Sequence, residues 1–220
     1  PQQIKNKISG TRGSHACSPR GGAGRKLIPK SLSDWLDIIE SRHPASIELG
    51  LDRLRQVQSR LGLTSLPFPV IAVGGTNGKG SVVAMLESIF LAAGYSVAAY
   101  TSPHLLSYGE RVHINGVNVT DETLVAAFEH VDIACEAVKL TYFEYGTLAA
   151  VEIFKQHDID LAILEVGLGG RLDAVNIFDS DVAVVTTIGI DHRQWLGDNR
   201  ESIGYEKAGI FRADKPAVCG

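Results

Sequence analysis

Apolar positions along the chain fall into two kinds of spacing, and the two alternate. Short apolar runs lie within Val70–Val73, Ser96–Tyr100, Leu161–Val166 and Asp181–Thr187. Each has strand length and unbroken small or β-branched content, the composition of strands buried on both faces of a parallel sheet. Helical spacings lie before and between them. Ser33 is placed to cap a helix carrying Trp35, Leu36, Ile38 and Ile39, which Pro44 must end. A second helix is predicted from Ser46, because Ile47, Leu51, Leu54 and Leu61 recur on one helical face. Ser81 to Ala93 predicts a helix closed by Gly94. Further helices are expected from Asp121 through about Val138, from Phe143 to His157 and over 201–209. Asn115-Gly116 marks a hairpin turn inside Arg111–Val119, and Pro216 to Gly220 reads as a new strand cut short. This alternation predicts an α/β fold, a mostly parallel sheet with right-handed crossovers and helices on both faces. Ligands in such sheets bind at the carboxyl ends of the strands.

The first apolar run breaks into Gly74-Gly75-Thr76-Asn77-Gly78-Lys79-Gly80-Ser81. Glycines let the backbone turn with its N–H groups aimed at an anion, and the following helix start favours phosphate. Lys79 would reach the terminal phosphates and Ser81 could ligate magnesium. The stretch departs from the generic phosphate-loop pattern, because Val73 stands where its first glycine is expected and Gly80 separates the lysine from the hydroxyl. A tight glycine turn without a ligand is the competing reading.

Composition narrows the class. The chain has 220 residues, 45% hydrophobic and 21% charged, enough for a substantial core, and no apolar run reaches the roughly 18 residues of a membrane helix. Cys17, Cys135 and Cys219 are widely spaced with no metal or redox pattern, which fits a reducing, cytoplasmic setting. Residues 1–33 carry seven Lys/Arg and no Asp/Glu, leaving 14 basic against 25 acidic residues, a balance of −11. Residues 1–30 are expected to be a disordered basic tail, with an organelle-targeting segment as the alternative, and 31–220 the globular part. An acidic protein that binds ATP needs a local positive site or magnesium, and neither nucleic acid nor membrane is expected as a partner.

Four more segments join the glycine loop: Thr101-Ser102-Pro103-His104-Leu105, then Glu165-Val166-Gly167-Leu168-Gly169-Gly170-Arg171-Leu172-Asp173, then Asp191-His192 with Trp195-Leu196-Gly197, and Glu206-Lys207-Ala208-Gly209-Ile210-Phe211. In order and spacing these resemble the folylpolyglutamate synthase and dihydrofolate synthase family, relatives of the Mur peptide ligases, over about residues 33–220. Gly80 is normal for that family. The resemblance implies a Mur ligase central domain followed in the family by a C-terminal Rossmann-like glutamate-ligase domain, to which no residue here corresponds. The chain is therefore expected to stop before that domain and to be inactive, or nearly so, alone.

The implied reaction is ATP-driven amide formation: a substrate carboxylate attacks the γ-phosphate, and the amine of L-glutamate displaces phosphate from the acyl phosphate. The acceptors would be dihydropteroate and reduced folates, in one bifunctional enzyme that is cytoplasmic and monomeric. Thr76, Asn77, Gly78, Lys79, Gly80 and Ser81 would hold ATP. Ser81, Ser102 and Glu165 offer oxygens for one magnesium, and His192 and Lys207 would serve a second, Lys207 as a carbamate formed with carbon dioxide. Lys79, Glu165, His192 and Lys207 are thus the expected catalytic set. Ile47, Glu48, Leu49, Thr141, Tyr142, Phe143, Leu172, Asp173 and Ala174 match the walls of the dihydropteroate pocket.

Read without the resemblance, several of these residues have plainer roles. Glu165 could cap the glycine-rich turn, His192 could be structural, Lys207 could lie on a helix surface, and Tyr142 and Phe143 could be core. Arg171 could screen a substrate carboxylate or pair with Asp173. Arg193-Gln194 stands where relatives commonly have Thr-Asp, and Tyr205 replaces a frequent arginine. A Mur-type cell-wall precursor ligase and a non-catalytic nucleotide-binding module are the alternative functions.

Overall fold

A computed structural model describes residues 31–43 and 47–220; the expected tail over 1–30 and the expected helix start at Ser46 lie outside them. Helix α1 spans Leu32–Arg42, and its cap is Ser31 rather than Ser33. Ser31 accepts the Asp34 N–H while Asp34 accepts that of Ser31, a reciprocal box that uses two otherwise unpaired donors. Helix α2 is shorter than its apolar spacing predicts, covering Asp52–Arg60. Gly50, at φ +141°, stands before it, so residues 47–50 form a connecting loop instead of a first turn.

Strand β1, Val70–Gly74, leads through the glycine loop into α3, Lys79–Ala92, and then to β2, Val97–Tyr100. Strands β3, Val112–Ile114, and β4, Val117–Asn118, form the expected hairpin. Asn115 and Gly116 both have positive φ, as the tight turn demands. Helix α4, Asp121–Cys135, ends three residues before Val138, and α5, Tyr142–Lys155, starts one residue before Phe143. Strands β5, Leu161–Glu165, and β6, Val182–Val185, follow. A four-residue helix α6, Arg193–Leu196, was not expected; α7, Arg200–Ala208, and β7, Ala217–Cys219, were.

The strands form one sheet in the order β4-β3-β2-β5-β1-β6-β7. The pairs from β2 to β7 are parallel, and the β3–β4 hairpin joins β2 antiparallel at one edge. Alternate residues serve opposite faces. Val70, Ala72, Ala98, Tyr100, Ala162 and Leu164 pack with α1, α4 and α5, while Ile71, Val73, Val97, Ala99, Leu161 and Ile163 pack with α3. Helices therefore cover both faces. Strand β1 lies between β5 and β6, so the loops that follow these three strands share one edge of the sheet.

Candidate active site

The glycine loop after β1 is tied to the β6 exit. Thr76 N–H donates to Thr187 O at 2.8 Å, Thr76 Oγ1 accepts Gly189 N–H at 2.9 Å, and Asn77 N–H donates to Thr187 Oγ1 at 3.0 Å. Gly75 has φ +143°, and a Cβ there would collide with Thr186 Oγ1. Only glycine satisfies both the backbone angle and the close approach. Gly78, at φ +81°, caps α3 and faces open space. Lys79 Nζ folds back over the loop, donating to Gly75 O at 3.1 Å and Thr76 O at 3.4 Å. Ser81 lies exposed in the first turn of α3.

Glu165, at the end of β5, is buried, and its Oε2 accepts the Ser102 N–H at 3.0 Å. It does not cap the glycine-rich turn that follows it. That role belongs to Asp173, which accepts Leu168 N–H at 2.8 Å and Val175 N–H at 3.0 Å. Burial raises the pKa of Glu165, opposed by the Ser102 N–H and by Lys79 and Arg111. Burial raises that of Asp173 to about 7, against its three main-chain donors. An added Cβ on Gly80 would lie 3.8 Å from Glu165 Oε2, so the loop helix runs close beside this carboxylate.

Lys207 is 4% exposed, which excludes the plain surface-lysine reading. Burial, followed by the charge of Lys79, lowers its pKa to about 8, with Asp191 and Asp173 opposing. A narrow cleft brings Lys207 together with Gly75, Thr76, Lys79, Asp191 and His192. His192 is half exposed, well past the end of β6, and caps α6 in the left-handed region at φ +48°. Its Nε2 is 3.6 Å from Asp191 Oδ2. Arg171 does not pair with Asp173. It bonds Glu206 Oε1 at 2.8 Å, and its guanidinium carbon is 5.8 Å from the Tyr205 ring centre. The departure at Tyr205 is thereby absorbed into a cation–π contact.

Beside this cleft opens a cavity of 670 Å³. Ile47, Glu48, Leu49, Thr141, Tyr142, Phe143, Leu172, Asp173 and Ala174 all line it, as do Ser102 and His192. A Cβ on Gly167 would come within 2.6 Å of Phe143 Cζ, so this glycine lets the ring lie against the β5 exit. Tyr142 and Phe143 are partly buried residues packed on the core and also line the cavity, so the two readings of them are compatible. Arg111 is a lining residue that sequence reasoning missed. It donates to His104 Nδ1 at 2.8 Å, with its guanidinium carbon 5.3 Å from the Tyr108 ring centre and 5.6 Å from that of Tyr142. His104 and Tyr108 are its near neighbours in the chain, and Tyr142 comes from the start of α5.

Among the described residues, no group of three His, Cys, Asp or Glu side chains forms a metal-binding cluster. The oxygen donors near the loop are the buried Glu165 carboxylate, the exposed Asp191 carboxylate and hydroxyls. This set suits a hard ion that takes the rest of its shell from phosphate and water, so the residues fit magnesium held together with ATP.

The Mur ligase middle domain matches residues 73–218. The chain belongs to the Mur ligase family. This Mur ligase domain is 55% identical over 190 residues to the dihydrofolate synthase/folylpolyglutamate synthase of Escherichia coli K12, covering 86% of this chain and 45% of that protein. It is 37% identical to the enzyme of the same name from Bacillus subtilis, covering 82% and 44%. The solved structure of E. coli FolC in complex with DHPP and ADP superposes with a TM-score of 0.85 at 53% identity, covering 87% of this chain and 46% of that one. A bifunctional folylpolyglutamate synthase/dihydrofolate synthase with Mn, AMPPNP and L-glutamate bound gives 0.81 at 51%, covering 87% and 47%. The chain spans about half the length of the curated relatives it matches.

Proposed function

We propose that this Mur ligase domain is the ATP-binding part of a bifunctional dihydrofolate synthase/folylpolyglutamate synthase, which adds L-glutamate to dihydropteroate and to reduced folates and releases ADP and phosphate. The observation that carries the reading is the adjacency of the two sites. The phosphate loop, Glu165 and Lys207 meet at one sheet edge, and an aromatic-lined cavity opens beside them. The relatives' names supply the substrate class.

In this reading Thr76, Asn77, Gly78, Lys79 and Gly80 hold the phosphates, and Lys79 leaves its loop carbonyls to meet them. Tyr142 and Phe143 orient the flat ring system so that its terminal carboxylate points to the γ-phosphate. One carboxylate oxygen forms a bond to phosphorus as the bond to ADP breaks; the glutamate amine then attacks the acyl carbon, loses a proton and displaces phosphate. Ser81, Ser102 and Glu165 would hold one magnesium, with His192 and Lys207 serving a second, and these ions supply screening of the approaching anions. Lys207 in this proposal carries a carbamate. Its burial and lowered pKa leave a larger neutral fraction of amine to react with carbon dioxide.

In this reading residues 31–220 form the ATP-binding domain, and glutamate ligation is completed by a C-terminal domain. The enzyme is cytoplasmic and monomeric. No helix among the described residues is long and apolar enough to cross a membrane.

The test is ADP release on incubation with ATP, L-glutamate and either dihydropteroate or tetrahydrofolate, using residues 1–220 alone and a length-matched ligase carrying them. Release by the longer protein, with little from residues 1–220, is expected. No ADP with either acceptor would overturn the proposal. Labelled bicarbonate gives a carbamate resonance that Lys207→Arg removes.

A further inference from the structure

One wall of the cavity is built from separate chain segments, and Arg53, in the first turn of α2, bonds two of them. Its Nε donates to Glu144 Oε2 at 3.2 Å, and Nη2 pairs with Glu144 Oε1 at 2.9 Å. The same guanidinium bonds the Glu48 carboxylate through Nη1 and donates from Nη2 to Glu48 O at 2.6 Å. Glu144 is 4% exposed, and its Oε2 also accepts Thr141 N–H at 2.8 Å, which completes the cap of α5. Glu48 is held a second time by His43 Nε2, 3.1 Å from Oε2.

Residues 47–50 belong to neither helix nor strand, and Gly50 gives them a freely turning end. A segment with no ladder of its own takes its position from what reaches it. Here a planar, two-sided donor bridges the loop to the buried start of α5, a geometry that guanidinium satisfies and ammonium does not.

We propose that Arg53 is a positioning residue that fixes residues 47–49 against the Tyr142–Phe143 wall and so sets affinity for the flat acceptor without touching it. The inference rests on the reading of the cavity as the acceptor pocket. Nucleotide affinity stays untouched, because the phosphate loop is tied to the β6 exit by a separate set of bonds.

The test compares the wild-type chain with Arg53→Gln and Arg53→Lys. It measures hydrogen–deuterium exchange of amides 47–50 without ligand, and then titrates dihydropteroate and ATP separately by protein fluorescence. Arg53→Gln should speed exchange there and weaken dihydropteroate on the order of tenfold each, with ATP affinity within about twofold, as loss of a bridging charged pair implies. Arg53→Lys, which holds one carboxylate but cannot bridge two segments, should fall between, and it carries the comparison if the glutamine variant fails to fold. Unchanged exchange and affinity in a folded variant overturn the proposal, as does an equal loss for both ligands. If the wild type binds ATP but no dihydropteroate while Arg53→Gln still loosens 47–50, the pocket's assignment fails and the clamp stands.

Discussion

Thr76 and Arg53 fix their loops in different ways. On the proposed nucleotide side the fixing groups are neutral, main-chain amides and threonine hydroxyls: Thr76 and Asn77 N–H groups bond the β6 exit, and Gly75 takes a backbone angle that no other residue holds without strain. On the proposed acceptor side they are charged side chains, with Arg53 joining Glu48 to Glu144. In the proposed function a phosphate is the same in every ATP, so a cradle of backbone and hydroxyl groups suffices. A ring system differs between substrates, and a wall pinned by side chains can be altered one residue at a time without disturbing the sheet.

Substitutions test this contrast, and the largest effect is expected at Gly75. Alanine there meets both an unfavourable φ and Thr186, which should destabilise the domain by on the order of 2–4 kcal/mol and abolish ATP binding. Thermal melts with an ATP titration check this, and a variant that still binds ATP would show that the cradle tolerates side chains. Glu165→Gln should behave differently. It removes a desolvated charge with little volume change, so stability should move by less than about 1 kcal/mol while ADP formation by the longer ligase drops on the order of a hundredfold.

Glu144→Gln keeps the side-chain volume but weakens the bonds to Arg53 and Thr141, at a cost of about 1–2 kcal/mol by denaturant titration. Acceptor binding should fall and ATP binding should not; equal losses would erase the distinction between the two sides.

The smallest effect sharpens the contrast at an exception. Glu87 on α3 bonds His113 Nδ1 at 3.3 Å and accepts Gly116 N–H at 3.2 Å, so a charged side-chain clamp also operates on the helix that follows the glycine loop. The Glu87 hydrogen bond raises the His113 pKa against the opposing effect of burial. The folded state thus holds this proton more tightly than the unfolded one, and the stabilisation is full below the ordinary histidine value of about 6.5. It is lost as pH rises through the folded value. Melting temperature should therefore fall less across this window in Glu87→Gln than in the wild type.

What could be read from the sequence divides along the same line. Strand β1, the glycine loop, α3 and the Asn115-Gly116 turn follow from neighbours in the chain, and their positions match the structure to within two residues. Residues 47–49 line the cavity proposed as the acceptor pocket, yet their apolar spacing suggested a helix. The spacing registers burial of Leu51 and Leu54 but not the glycine that frees the preceding loop. Lys207 looked like a surface residue by type and is buried, because its surroundings come from β5, the phosphate loop and the β6 exit. Arg53 was missed because its decisive partner is distant in sequence, and a lone arginine carries no mark of a buried glutamate 91 positions away.

The Thr76–Gly189 bond joins residues 113 apart in the chain. Closing so long a span is entropically unfavourable until β1, β5 and β6 have assembled, so this contact must form late on the folding route. A chain halted before β6 docks would have its central strand and its glycines but no closed cradle. Recovery of ATP binding during refolding would therefore report arrival at the finished sheet, trailing the recovery of helical signal.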